Sequence, residues 1–315
     1  MSSLVDQAIR SIEERSKSGE GLSGIPSGFS ALDRITNGWQ RSDLIIIAAR
    51  PGMGKTALAL TMARNAAVDH NKPAAIFSLE MSSVQLVSRL LSSEARINAE
   101  KLRSGNLEDH EIEQINHKTD KLSEAEIYID DTPGINIFEL RAKCRRLKAQ
   151  KDIQLIVIDY LQLMNGDSSN RKIGNREQEI SNISRSLKGI AKELGVPVIA
   201  LSQLSRAVET RGTSKKPQLS DLRESGSIEQ DADQVLFVYR PEYYNIPETE
   251  EGMPTDGLAQ LLIAKNRHGK TDTVNLKFIK EFATFEDDPG VFTGDAPSGF
   301  VTLGSRMNDE DEQVF

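Results

Sequence analysis

A single cysteine, Cys144, among 315 residues leaves no partner within the chain for a disulfide, and that scarcity suits a reducing cytoplasm. Cys144 falls on an apolar helical stripe, so it reads as a small buried hydrophobe rather than a reactive thiol. The four histidines are scattered, without the spacing of metal ligands. No apolar run approaches the ~20 residues needed to span a bilayer, and the first residues lack the basic start and apolar core of a signal peptide. Basic residues do not dominate either. The net charge of −8 excludes a protein coated in positive surface. It leaves nucleic acid open as a partner, because screening over ~8 Å makes local clusters count more than the total. The length admits one α/β domain of about 250 residues with short appendages.

What is present centres on one stretch. Leu44 to Ile47 is an apolar run that reads as a strand buried on both faces. Pro51-Gly-Met-Gly54 makes a tight turn, and Lys55-Thr56 opens a helix-forming run from Ala57 to Val68. Strand, glycine turn and helix in that order form a phosphate cradle. Backbone N–H groups and the positive helix end face the anion, Lys55 reaches the outer phosphates, and the Thr56 hydroxyl can ligate Mg²⁺. The usual pattern wants glycine at position 49, where this chain has Ala49. Gly52 and Gly54 still allow close backbone approach, so the stretch predicts binding of a nucleoside triphosphate.

Taken in order, the chain starts with Leu4, Val5, Ala8, Ile9 and Ile12, the stripe of a short amphipathic helix, then a Gly/Ser linker to Ser23. Ala74–Glu80 reads as a strand presenting the Glu80 carboxylate at its carboxyl end, and Ser82 to Gln85 as a capping box. Residues 98–126 read as a peripheral helical insertion without chemistry. A strand at Ile127–Asp130 precedes a helix capped by Asn136, whose other faces are basic. Gln154–Asp159 is an apolar strand ending in a carboxylate; placed next to the phosphate-loop strand, Asp159 would support the nucleotide's Mg²⁺. A polar loop, 165–175, carries Arg171 and Lys172. The helix after it has the stripe Ile180, Ile183, Leu187, Ile190 and Leu194, and stops at Gly195. Val196–Gln203 is a strand ending in Gln203, which can touch a γ-phosphate or stand as a plain polar strand end. A basic loop with Arg206, Arg211, Lys215 and Lys216 begins three residues later, suited to a phosphate backbone. After a strand at Gln234–Tyr239, two strands around Asn266–Lys270 form a hairpin from which Lys265 and Arg267 project. The tail, 287–315, is acidic and reads as disordered. Strands alternating with helices predict an α/β fold, a mostly parallel sheet flanked by helices, with an antiparallel hairpin at its C-terminal edge.

Six stretches in order carry a resemblance: Arg50-Pro-Gly-Met-Gly-Lys-Thr56, Phe77-Ser-Leu-Glu-Met81, Val157-Ile-Asp-Tyr-Leu-Gln-Leu163, Ala200-Leu-Ser-Gln-Leu-Ser-Arg206, Asp221 to Asp233, and Ala264 to Thr271. Residues 20–286 resemble the C-terminal motor domain of the bacterial replicative DNA helicase DnaB family, which also commonly has alanine where this chain has Ala49. The resemblance implies a RecA-like P-loop ATPase that uses ATP and Mg²⁺, assembles as a homo-hexamer, and translocates 5′ to 3′ on single-stranded DNA in the cytoplasm. It implies cofactor binding by Arg50, Pro51, Gly52, Met53, Gly54, Lys55, Thr56 and Ala57, with Thr56 and Asp159 on the metal side. Glu80 is implied as general base and Gln203 as γ-phosphate sensor, with Lys265 and Arg267 acting on a neighbour's nucleotide. Arg223, Glu224, Gly226 and Arg206 are implied to contact DNA. Residues 1–20 look like a linker that docks on the adjacent subunit, 21–286 like the motor. The family's helical N-terminal domain, which engages primase, is not among these residues, as expected of either a motor fragment or a naturally short protein; primase and a helicase loader are the further partners implied. A recombinase or clock-type ATPase on the same fold, or an assembly module that no longer hydrolyses, are the rival readings.

Overall fold

Leu44–Ala49 forms β1, and every residue of it is buried. Ile45, Ile47 and Ala49 enter one apolar cluster while Leu44, Ile46 and Ala48 enter another, because side chains of a strand alternate between its two faces. Each fully buried large aliphatic contributes about 1.5–3 kcal/mol, so this strand sits centrally with layers on both sides. The computed structural model describes residues 5, 22–165, 176–212, 215–249 and 252–288, without the side chains of 223–226. The helix expected over Leu4–Ile12 (Val5 excepted), the linker up to residue 21, Arg171 and Lys172, the side chains of Arg223 and Glu224 with the contacts of Gly226, and the tail from 289 all lie outside the described residues.

The remaining strands are β2 (Ala74–Ser78), β3 (Ile127–Asp130), β4 (Leu155–Asp159), β5 (Val198–Gln203), β6 (Gln234–Tyr239), β7 (Leu258–Asn266), β8 (Asp272–Ile279) and β9 (Thr284–Asp287). They make one sheet in the order β3-β2-β4-β5-β1-β6-β7-β8-β9. The pairs from β3 to β6 are parallel, and those from β6 to β9 are antiparallel. Two expectations change. The Asp159 strand does not adjoin the phosphate-loop strand, because the later strand β5 inserts between them; apolar runs identify strands but carry no information on their order. The sheet also runs through Asp287, where the sequence placed the start of the tail. Within β9 the single large apolar residue, Phe285, is buried against Phe278 with ring centroids 4.8 Å apart, too little for a recognisable alternation.

The helices are α1 (Ser30–Thr36), α2 (Lys55–Arg64), α3 (Ser83–Ala95), α4 (Ala99–Ser104), α5 (Asp109–Lys118), α6 (Asp120–Glu124), α7 (Ile137–Lys151), α8 (Arg176–Leu194), α9 (Ala207–Thr210) and α10 (Gly226–Asp231). Their ends follow local chemistry. Ser82 and Gln85 form the reciprocal capping box of α3, the Asn136 side chain accepts from Phe138 N and Glu139 N at α7, and Gly195 ends α8 with φ of +63°. Helices α4 to α6 bury no residue and form the insertion. Among the described residues no helix is long and apolar enough to cross a membrane.

Candidate active site

β1 delivers the chain into the turn at Pro51–Gly54, and two glycines there are structural requirements. Gly52 has φ of +81° and Gly54 +95°, a region that costs a side chain about 1–2 kcal/mol. A Cβ on Gly54 would also lie 3.0 Å from the Phe285 ring, and one on Gly52 3.0 Å from Tyr243. Ala49 is different. It still belongs to β1, paired with Gln203, with no positive φ, so no glycine is needed there.

Four parallel strands converge on the cavity beyond the turn. It encloses about 970 Å³, lined by Lys55, Thr56, Glu80, Asp159 and Gln203 among others. These residues stand at or just past the carboxyl ends of β1, β2, β4 and β5, where open α/β sheets bind ligands. Lys55 Nζ donates to Ala49 O at 3.2 Å. Burial pulls its pKa down, against the charges of Asp159 and Glu80. Thr56 Oγ1 donates to Asp159 Oδ2 at 2.7 Å. Asp159 is 3% exposed; burial pushes its pKa up, the Thr56 hydrogen bond opposes this, and the Glu80 charge adds to the rise. Its Oδ1 is buried with no hydrogen-bond partner among the described residues. Such atoms are rare because an unmet acceptor costs about 1–3 kcal/mol. A hydroxyl and a carboxylate with a spare oxygen, both hard donors, fit a Mg²⁺ ion and its water shell.

Two residues of the phosphate-loop motif turn away. Arg50 donates from Nη1 to Leu204 O at 2.8 Å and from Nε to Glu209 at 2.9 Å, and it lines a second cavity of about 380 Å³ with Gln162, Gln203 and Arg206. Met53 is 1% exposed and packs into the core beneath the turn. Of residues 50–57, Pro51, Gly52 and Gly54 to Ala57 line the main cavity.

The hairpin residues stand elsewhere. Asn266 pairs with Gln234, which pairs with Ile45 near the start of β1, whereas the phosphate turn follows its end. Six residues of strand place roughly 20 Å between them at ~3.3 Å per residue. Lys265 does not project. Its Nζ donates to Glu229 O at 2.6 Å and Ala232 O at 2.8 Å, capping the carboxyl end of α10 where a cation is favoured; burial lowers its pKa. Arg267 donates to Gln230 O, stands 3.6 Å from Asp233 and stays 45% exposed. Neither reaches the chain's own cavity. In the basic loop, Arg206 is exposed, while Arg211 pairs with Asp221 and Lys215 donates to Glu209 O and Arg211 O.

Sequence reasoning missed one wall. Asn98, Glu100 and Arg103 of the insertion line the main cavity, and Ala99 N donates to Glu281 O at 2.9 Å, tying α4 to the β8–β9 turn. Nothing in their spacing marks them.

The family described as DnaB-like helicase C-terminal domain matches residues 24–287. The replicative DNA helicase DnaB of Geobacillus stearothermophilus is 55% identical over 264 residues, covering 84% of this chain and 56% of that protein. The replicative DNA helicase DnaC of Bacillus subtilis is 53% identical over 279 residues, 87% of this chain and 60% of that protein. The chain thus spans somewhat over half the length of these relatives. Among solved structures, one described as an ATPase domain aligns with a TM-score of 0.81 at 38% identity, covering 90% of this chain and 98% of that one. A DnaB-like replicative helicase, described with its interactions with primase, aligns with a TM-score of 0.79 at 39% identity, covering 90% and 66%.

Proposed function

The chain belongs to the family of DnaB-like helicase C-terminal domains, and from that membership we propose that it is the motor of an ATP-driven replicative DNA helicase. The observation that carries this reading is the cavity floor, where Thr56 is bonded to Asp159, whose second oxygen is left over, with Glu80 and Gln203 on the walls. ATP binds with its phosphates on the Gly52–Ala57 turn and Lys55 on the outer phosphates. Thr56 and Asp159 would hold Mg²⁺, which would supply neutralisation of the phosphate charge. Glu80 orients and deprotonates the attacking water, and Gln203 registers the γ-phosphate. Catalysis rests on positioning and charge rather than covalent chemistry.

Arg267, too far from its own cavity, serves a neighbouring subunit's nucleotide in a homo-hexameric ring, with Lys265 beside it. Such an arginine is worth roughly 10³–10⁵ in rate. Arg206, Arg223, Glu224 and Gly226 contact single-stranded DNA along its backbone as the ring moves 5′ to 3′. Residues 1–20 dock on the adjacent subunit, residues 21–287 form the motor through the end of β9, and the acidic stretch beyond it is a tail. The motor works in the cytoplasm, with primase and a helicase loader as further partners; the relative described with primase supports the former. Unwinding of a forked duplex with a 5′ tail tests this. Strand separation with Mg-ATP, and none with a non-hydrolysable analogue or with Lys55→Ala, supports it; no separation of the 5′-tailed fork under any condition counts against it.

A further inference from the structure

β4 parts from β5 before β5 ends, while staying paired with β2 through Asp159. The β4–β5 ladder joins Ile156 to Val198, Val157 to Ile199 and Ile158 to Ala200, and ends there. On the other side, β1 accompanies β5 as far as Ala49 opposite Gln203. Gln162, in the 3₁₀ turn Leu161–Leu163 that follows Asp159, fills the vacated edge with its side chain. Its Nε2 donates to Ser202 Oγ at 2.9 Å and more weakly to Gln203 O at 3.4 Å, while Gln203 N donates to Gln162 Oε1 at 3.3 Å. A primary amide carries both a donor and an acceptor, so it can stand in for a missing peptide group. The turn itself is held from behind. Arg176, the first residue of α8, donates to the carbonyls of Gln162 and Met164.

We propose that Gln162 is a positioning residue for the γ-phosphate response, fixing the backbone of Gln203 so that its side chain meets the phosphate at a set place. Gln203 ends the strand exposed on the cavity wall, with no parallel neighbour beyond β1 to hold it. Leu204 is then anchored through its N–H to Ala49 O at 3.1 Å and through its carbonyl to Arg50 at 2.8 Å, whereas the outward-facing peptide groups of Gln203 are met by the Gln162 amide. Because Gln162 lies three residues beyond Asp159, the metal-side carboxylate and the sensor are coupled through one short turn. This inference rests on the proposed role of Gln203.

The experiment compares Gln162→Ala, Gln162→Glu and Gln203→Ala in steady-state Mg-ATP hydrolysis and in binding of ADP and a non-hydrolysable triphosphate. Gln162→Ala is expected to lower kcat roughly 10–100-fold, the scale of a small misplacement of a reacting group, and to lose most of the preference for triphosphate over ADP. ADP affinity should stay within about twofold of wild type, since the diphosphate does not engage Gln203. Adding Gln162→Ala to Gln203→Ala should cost little more, because the two act as one unit. Gln162→Glu keeps the acceptor but loses the donor until its carboxyl is protonated, so its rate relative to wild type should rise as pH falls. Wild-type hydrolysis in Gln162→Ala beside a defective Gln203→Ala overturns the inference. So does an equal loss of ADP and triphosphate binding, which would mark a merely structural tie. If Gln203→Ala itself keeps full turnover and triphosphate preference, the assignment of Gln203 falls first, and the inference with it.

Discussion

The Thr56 hydroxyl donates a 2.7 Å hydrogen bond to Asp159, although β5 lies between the strands that deliver the two residues. Thr56 reaches across from the first turn of α2, not from the sheet. The turn that opens α2 and the Asp159 carboxylate at the end of β4 are therefore tied to each other directly by the fold.

That arrangement has a stability consequence. Burial raises the Asp159 pKa above its unfolded value, so its contribution is favourable below the unfolded pKa and is lost as pH rises through the folded one. As pH rises, the buried charge becomes a cost to the folded protein. Asp159→Asn should melt at a higher temperature than wild type at pH 7, with the gap closing as pH falls. Mg-ATP should protect the variant less. A lower melting temperature at pH 7 would contradict the account.

Glu80 stands exposed on the cavity wall just past β2. Glu80→Gln should bind nucleotide as wild type does and lose turnover by roughly 10²–10⁴-fold, the range for a positioned base. Equilibrium binding beside single-turnover hydrolysis separates the two. Unchanged turnover would remove Glu80 as the base.

Arg267 is half exposed at the end of the strands opposite the phosphate turn, level with the start of β1. Mixing Arg267→Ala with Lys55→Ala subunits should restore hydrolysis at interfaces that combine one intact cavity with one intact hairpin. Titrations in which the mixture stays as inactive as either variant alone would sink the proposed role in trans.

The two ends of the turn region make a paired test of backbone conformation. Gly54→Ala must adopt a positive φ and meet Phe285, so it should cost about 1–3 kcal/mol and weaken nucleotide binding. Ala49→Gly restores the usual motif letter inside a strand, yet should leave affinity unchanged and cost about 0.5–1 kcal/mol of stability. Melting and nucleotide titration of both variants decide it; tighter binding by Ala49→Gly would contradict the reading.

Much of this is legible in the sequence. The apolar run of β1, the caps at Ser82 and Asn136, and the stop at Gly195 follow from local chemistry, which a single sequence records directly. Strand order does not: nothing in Gln154–Asp159 or Val196–Gln203 says which of them lies beside β1. Side-chain direction is equally hidden. Arg50 and Met53 belong to the motif, but only packing decides that one reaches Leu204 and Glu209 while the other fills the core. Lys265 reads as projecting from a hairpin end because its acceptors, carbonyls of the α10 region, lie 33 and 36 residues away in sequence. The insertion residues on the cavity wall have no periodic signal, since tertiary placement alone brings them there.

The most direct measurement is the rate of Mg-ATP hydrolysis with and without single-stranded DNA, in wild type and in Arg206→Ala. A large DNA-dependent rise, reduced in the variant at equal basal rate, is the result the account predicts. Basal hydrolysis that single-stranded DNA leaves unmoved would contradict the claim that this cavity drives a DNA motor.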